Sequence, residues 1–184
     1  MKLSAACLAV SILAWPLTAM AATLPPPSAP STDPSLSLEA NAAYLAAGAK
    51  RPGIILRPDG LQIKMIQNGF GKRPTATDTV QVYYTGSLIN GRVFDGTSPG
   101  LPASFKVNEV VPGWTEALQL MREGDHWQLV LPAALAYGAR GAGTAIPPDQ
   151  VLVFDMTLVS TTPAPKRGEP GYIPDPNDPL DKDK

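Results

Sequence analysis

Few residues of this 184-residue chain could carry out covalent chemistry. It contains one histidine, His126, and one cysteine, Cys7. A Ser-His-Asp triad could use only that histidine, and a metal site lacks ligands. The glycine-rich stretch 138–143 is not followed by Lys-Ser or Lys-Thr, which a phosphate-binding loop would need. A catalytic triad, a metal site and a phosphate-binding loop are therefore all poorly supported by the sequence.

Aromatic and aliphatic residues dominate the stretch 80–159. Taken singly, they have ordinary structural interpretations: Trp114 as a core residue, Asp95 as part of a loop, Tyr137 at the end of a strand. Taken together and in order, they resemble the FKBP-type peptidyl-prolyl cis/trans isomerases over about residues 60–160. The motifs that carry the resemblance are Val82-Tyr83-Tyr84-Thr85-Gly86, Gly91-Arg92-Val93-Phe94-Asp95, Phe105, Val110-Val111-Pro112-Gly113-Trp114, Ala136-Tyr137-Gly138, Ile146-Pro147-Pro148 and Val151-Leu152-Val153-Phe154-Asp155.

The resemblance implies a pocket that binds a prolyl ring. Its floor would be Trp114, and in the family the backbone N–H at the position of Val111 and the hydroxyl at the position of Tyr137 bind ligand carbonyls. The implied catalytic residues are Asp95, Tyr137, Trp114 and Phe105. The implied substrate-binding residues are Tyr84, Phe94, Val110, Val111, Ile146 and Phe154.

The implied activity is rotation about Xaa-Pro bonds, accelerated by desolvation and by complementarity to the twisted transition state, with no cofactor or metal. The alternative is a periplasmic chaperone, or a module that binds proline segments and turns them over incidentally. The expected partners are proline-containing polypeptides and macrolide FKBP inhibitors. Secreted bacterial relatives of the macrophage infectivity potentiator type dimerise through a longer N-terminal helical region, so the short one here predicts a monomer or weak dimer.

Residues 1–22 read as a secretory signal peptide. Lys2 supplies the positive charge, an apolar run follows to Leu17, and Ala19-Met20-Ala21 is a small-x-small cleavage site. Cys7 lies inside this signal, so the mature chain would contain no disulfide. We expect a periplasmic or secreted protein without a membrane span. A net charge of −1 leaves no basic field for nucleic acid.

The pattern predicts four regions: the signal, a linker with a short helix at 23–59, an isomerase domain at 60–160 and a Pro-rich disordered tail at 161–184. Within 35–50, Leu38, Ala42, Leu45 and Ala49 recur at helical spacing. The tail holds several prolines and ends in Asp-Lys-Asp-Lys, a composition that cannot bury a core.

Alternation of apolar and polar residues predicts strands within the domain. Leu61, Ile63 and Met65 are expected to share one face, as are Trp127, Leu129 and Leu131, and Leu152, Phe154, Met156 and Leu158. Turns are expected at Asn68-Gly69 and Asn90-Gly91, the latter with two positive φ angles. One helix, 112–121, would bury Trp114, Ala117, Leu118 and Met121. The predicted fold is α+β, an antiparallel sheet wrapped around one short helix.

Overall fold

A computed structural model describes residues 32–165 and 169–170 of the chain. The predicted signal peptide, most of the linker and most of the predicted tail lie outside the described residues. The helices are α1 (Leu38–Gly48) and α2 (Pro112–Leu120). The strands are β1 (Ile54–Leu56), β2 (Gln62–Gln67), β3 (Thr79–Leu88), β4 (Val93–Gly96), β5 (Ala103–Lys106), β6 (His126–Leu131) and β7 (Leu152–Thr162).

All seven strands form one antiparallel sheet in the order β1-β2-β6-β7-β3-β4, with β5 also paired to β3. The inner face of β7 is the one predicted, because Leu152, Phe154, Met156 and Leu158 are all buried. Strand β7 ends at Thr162, two residues inside the region assigned to the tail. The sheet packs on α2, and the predicted α+β fold is confirmed.

Helix α2 forms where the sequence predicts it. Pro112 occupies the first turn, where a missing N–H costs nothing, and Gly124 takes a φ of 91° shortly after the helix ends. The predicted stripe of Trp114, Ala117, Leu118 and Met121 is buried. This face is the support for the aromatic side chains described below.

Helix α1 begins after Ser37, whose side chain accepts a hydrogen bond from the Ala40 N–H at 3.1 Å. The predicted apolar stripe is wrong, because Leu38 is 67% exposed and the buried residues of the helix are Asn41 and Gly48. The helix docks by hydrogen bonds rather than by an aliphatic face. Its Leu45 carbonyl accepts a bond from the Gln62 side chain at 2.8 Å.

Strand β2 also departs from simple alternation. Gln62 is buried although it alternates with the apolar residues, because α1 covers it at this point. Met65 was expected to share a face with Leu61 and Ile63, but unlike them it is exposed, where it lines an open groove with Trp127. The register with β6 shifts after Met65, between Met65 and Gln67.

The two predicted turns differ from expectation. The Asn90-Gly91 segment does join β3 to β4, but only Gly91 has a positive φ, of 84°. The Leu88 N–H donates a hydrogen bond to the Arg92 carbonyl at 2.9 Å. Three residues lie between these two, so the connection is longer than a two-residue turn. Asn68-Gly69 forms no tight turn; Gly69 instead lies against the backbone of residues 123–125, where a Cβ atom would not fit.

Candidate active site

An apolar cavity of about 420 Å³ opens between α2 and the inner face of the sheet. Its residues come from β3, β4, β5, β7, α2 and two connecting segments. The lining residues are Tyr84, Phe94, Asp95, Phe105, Glu109, Val110, Val111, Trp114, Tyr137 and Phe154. The fold thus brings together residues that are up to 70 positions apart in the chain.

Trp114 forms the centre of an aromatic cluster at the base of this cavity. Its ring meets Tyr84 at a centroid distance of 5.0 Å, Phe154 at 5.1 Å and Phe105 at 5.6 Å. All three contacts are edge-to-face, the arrangement that the quadrupoles of aromatic rings favour. Contacts on three sides fix the indole rotamer, so the floor of the cavity is rigid before any ligand arrives.

Asp95 lies at the polar edge of the cavity. One of its carboxylate oxygens accepts the Tyr84 hydroxyl at 2.6 Å, and the other accepts the Gly96 N–H at 2.9 Å. Burial raises the pKa of Tyr84 and of Tyr137, and the negative charge of Asp95 raises both further. Both phenols therefore stay protonated at neutral pH and act as hydrogen-bond donors.

Two donors at the edge of the cavity have no acceptor within residues 32–165 and 169–170, and neither does the buried Trp114 Nε1 at its floor. The Val111 N–H lies just before the first residue of α2, and its carbonyl already accepts bonds from the Trp114 and Thr115 N–H groups. The Tyr137 hydroxyl belongs to a side chain that is 42% exposed. An apolar cavity with two available donors can hold an extended peptide by its carbonyl groups.

Not every residue assigned to the pocket lies on its wall. Ile146 is buried in the core and is absent from the lining, because it pairs with Ala142 inside the loop that follows Tyr137. Glu109 does line the cavity and was not predicted. Its Oε1 atom accepts a bond from Lys106 Nζ at 2.9 Å, so its charge is partly balanced.

Gly86 ends the motif Val82-Tyr83-Tyr84-Thr85-Gly86 and was not predicted as a site residue, yet it shapes the cavity wall. A Cβ atom at this position would lie 2.7 Å from Phe94 Cζ and 2.8 Å from Phe154 Cε1. The two rings meet edge-to-face at 5.7 Å only because no side chain separates them. A glycine in the middle of a strand is the signal that could have indicated such a close approach.

The described part of the chain contains no group of three His, Cys, Asp or Glu side chains able to hold a metal ion. His126 lies away from the cavity, where its Nε2 atom is 2.7 Å from Asp155 Oδ1. None of the helices in residues 32–165 is long and apolar enough to cross a membrane.

Comparison with known proteins identifies the family. The family model described as FKBP-type peptidyl-prolyl cis-trans isomerase matches residues 71–159. The crystal structure of a peptidyl-prolyl cis-trans isomerase from Pseudomonas syringae pv. tomato superposes with a TM-score of 0.65 and 37% identity, over 68% of this chain and 93% of that chain. The chain belongs to the FKBP-type isomerase family.

Curated relatives that include Mip and FkpA proteins place it in the Mip and FkpA branch of that family. The "Outer membrane protein MIP" of Legionella longbeachae is 50% identical over 123 residues, which are 66% of this chain and 53% of the relative. The "FKBP-type 22 kDa peptidyl-prolyl cis-trans isomerase" of Escherichia coli is 50% identical over 117 residues, 63% of this chain and 57% of the relative. This FKBP chain thus spans little more than half the length of either protein.

Proposed function

We propose that this protein is a peptidyl-prolyl cis-trans isomerase that acts on exported polypeptides. The observation that carries the proposal is the aromatic cavity with two available donors at its edge, Val111 N–H and Tyr137 O–H. A prolyl ring fits an apolar space of this size, and the carbonyls on either side of it can accept the two bonds.

The chemistry needs no group that transfers a proton. Amide resonance gives the C–N bond a rotation barrier of about 18–20 kcal/mol. In the twisted transition state that resonance is lost and the carbonyl oxygen becomes less negative. A cavity that excludes water removes the hydrogen bonds that favour the planar, more dipolar ground state. A millionfold acceleration requires about 8 kcal/mol, which several such contacts together can supply.

Each wall residue has a role in this proposal. Trp114 and Phe105 hold the prolyl ring, with Tyr84, Phe94, Val110 and Phe154 completing the apolar wall. Asp95 orients the Tyr84 hydroxyl and faces the twisting amide, and Tyr137 donates to a substrate carbonyl. Ile146 contributes from behind the wall by supporting the loop that carries Tyr137.

A protease-coupled assay on a short Xaa-Pro peptide tests this function. Asp95→Ala and Tyr137→Phe should each lower kcat/KM by roughly tenfold, the effect of losing about 1.4 kcal/mol of transition-state stabilisation. Tyr83→Phe is the matched control, because Tyr83 is the neighbouring strand tyrosine and is not a cavity residue. Full activity in both edge variants, with the fold intact, would refute the proposed site.

Binding of unfolded chains is the second candidate function, and one observation favours it. A separate groove of about 550 Å³ is lined by Met65, Phe70 and Trp127 together with Arg73 and Arg122. The Phe70 ring is 94% exposed. If chaperoning is the main role, Phe70→Ser should abolish suppression of aggregation of a proline-free client while peptide isomerisation is unchanged.

The expected location is the periplasm or the extracellular medium. It is supported by the signal-like residues 1–22 and by a relative whose name is "Outer membrane protein MIP". The intact mass of the exported protein should correspond to a chain that begins near Ala22. A mass that retains Met1, or one with a lipid on Cys7, would contradict this proposal.

Macrolide inhibitors should compete with peptides for the aromatic cavity, since both would use the same apolar floor.

We further propose a monomer or weak dimer, because α1 has only 11 residues. Sedimentation at several protein concentrations measures the association directly. A dimer that persists at nanomolar concentration would require another interface.

A further inference from the structure

The segment 137–151, which we call the lip segment, is a closed unit that carries Tyr137 at its first residue. Ala142 and Ile146 exchange backbone hydrogen bonds of 2.8 and 3.1 Å, which close a short loop between them. The Arg92 guanidinium donates to the Ala145 carbonyl at 2.9 Å. Because the segment is fixed internally, the position of Tyr137 depends on how the segment is anchored to the rest of the protein.

The two ends of the lip segment are tied together at its base. The Asp149 N–H donates to the Gly138 carbonyl at 2.9 Å, directly beside Tyr137. Asp149 is the one non-glycine residue with a positive φ among those described, at 57°. Residues other than glycine rarely adopt this backbone conformation, so neighbouring contacts must hold Asp149 in it. Those contacts come from the next two residues, Gln150 and Val151.

A buried pair of amide side chains joins this base to α1. Asn41 Oδ1 accepts the Val151 N–H at 2.8 Å, and Asn41 Nδ2 lies 3.3 Å from Gln150 Oε1. The same Asn41 nitrogen donates to the Ser37 carbonyl at 2.9 Å, and Gln150 Nε2 donates to the carbonyls of Leu36 and Pro148 at 3.1 and 2.9 Å. Asn41 is 3% exposed and Gln150 is 4% exposed.

This junction differs physically from an ordinary apolar contact. Apolar burial is not directional, whereas a buried amide pair keeps its hydrogen bonds only in one relative position. No water competes for the bonds at this depth, so a displaced helix would leave several polar groups without partners. The position of α1 is therefore coupled to the position of the lip segment.

We propose that Asn41, which lies outside the cavity, is a positioning residue for catalysis. Through Gln150 and Val151 it fixes the base of the lip segment, and through the bond between Asp149 and Gly138 it sets where the Tyr137 hydroxyl meets the substrate. This rests on the proposed function. It assigns a role in turnover to the short N-terminal helix, distinct from association with a second copy.

The test compares two variants of the junction with a matched control. Asn41→Ala removes the link from the helix side, and Gln150→Ala removes it from the lip side while α1 keeps its own contacts. Gln62→Ala is the control, because Gln62 also anchors α1 by a buried amide, at Leu45 and away from the lip segment. Each variant removes at least one hydrogen bond made by a buried amide side chain, so each should lower the melting temperature.

Only the junction variants should alter turnover when all are assayed well below their melting temperatures. We expect Asn41→Ala and Gln150→Ala to lower kcat/KM roughly three- to tenfold, and Gln62→Ala to stay within about twofold of the unmodified protein. In a Tyr137→Phe background, Asn41→Ala should cause much less further loss. Amide exchange at Ala142 and Ile146 should accelerate in the junction variants and not in the control.

Two failures can be told apart. If the unmodified protein does not isomerise Xaa-Pro peptides, the proposed function fails, and amide exchange still reports whether Asn41 holds the lip segment. If the protein is active but Asn41→Ala, Gln150→Ala and Gln62→Ala lose activity equally, in proportion to their stability, Asn41 is structural only. Independent effects of Asn41→Ala and Tyr137→Phe would also overturn the proposal.

Discussion

Gly86 shapes the aromatic cavity through the side chain that it lacks. Gly86→Ala would place a methyl group within 3 Å of both Phe94 and Phe154. We expect a loss of about 1–3 kcal/mol in the free energy of unfolding, the usual cost of overpacking. Turnover should fall as well, because the displaced rings form the cavity wall. Urea denaturation and the peptide assay measure the two effects.

The control for this variant is Ser87→Ala, the next residue of β3, which does not line the cavity. This variant should leave the free energy of unfolding and the turnover nearly unchanged. A Gly86→Ala protein with unaltered stability and activity would show that the rings can move aside without cost.

The cavity tyrosines should dominate how the free energy of unfolding of the domain changes at alkaline pH. Burial raises the pKa of Tyr84 above its ordinary value of 10.0, and the hydrogen bond to Asp95 and the charge of Asp95 raise it further. A folded pKa above the unfolded one contributes stability that is complete below about pH 10 and is lost as the pH rises. Asp95→Asn should lower the folded pKa and so weaken this alkaline loss.

Ultraviolet titration of tyrosinate measures the tyrosine pKa in the folded protein. Urea unfolding at several pH values measures the loss of stability. Asp155→Asn is the control, since Asp155 lies near His126 on the other face of the sheet. An Asp95→Asn protein whose tyrosines titrate as before would show that the carboxylate does not act on them.

Most cavity residues could be identified from the sequence because the order of the aromatic motifs is informative even where each motif is weak. Ile146, predicted to bind substrate, is absent from the cavity lining, and its pairing with Ala142 depends on the loop geometry, which spacing does not reveal. Glu109 was missed because a charged residue beside an apolar motif usually faces solvent. Its position follows from the 3₁₀ turn Val107–Glu109.

Among the elements, α2 was predictable and the face of α1 was not. The stripe of α2 is apolar at helical spacing and packs on the sheet as such patterns do. In α1 the alanines are small enough to suit either face, so they carry little directional information. The decisive residue is polar Asn41, and only its partners Gln150 and Val151, more than a hundred residues later, explain its burial.

The end of β7 marks a sharper domain boundary than composition suggests. The Thr161 N–H donates to the Glu123 carboxylate at 2.7 Å, and the Ala164 N–H donates to Asp78 Oδ1 at 3.1 Å. Truncation after Pro165 should leave melting temperature and turnover unchanged. Truncation after Ser160 removes both bonds to charged acceptors and should cost about 2–3 kcal/mol in the free energy of unfolding.

Thermal melts of the two truncated proteins test this boundary. A large fall in the melting temperature of the protein truncated after Pro165 would mean that residues beyond 165 dock on the domain. Equal stability of the two proteins would mean that the end of β7 contributes nothing.

At the scale of the whole molecule, the absence of proton transfer from the proposed mechanism has a measurable signature. Histidine is the side chain that ordinarily titrates between pH 5 and 8, and the one histidine here lies with Asp155 outside the cavity. We expect kcat/KM to be nearly flat from pH 6 to 8 and indifferent to chelators and heavy water. A bell-shaped profile or a large solvent isotope effect would contradict this mechanism.

The strand order also determines when this chain can fold. Strand β7 alone joins two half-sheets, β1-β2-β6 and β3-β4-β5, and it pairs distant residues such as Thr79 and Thr162. It is the last of the described strands to be synthesised, so a chain that stops before Leu152 holds two half-sheets with nothing between them. Non-local pairing of this kind forms slowly. A nascent chain therefore cannot close its sheet until β7 has been synthesised.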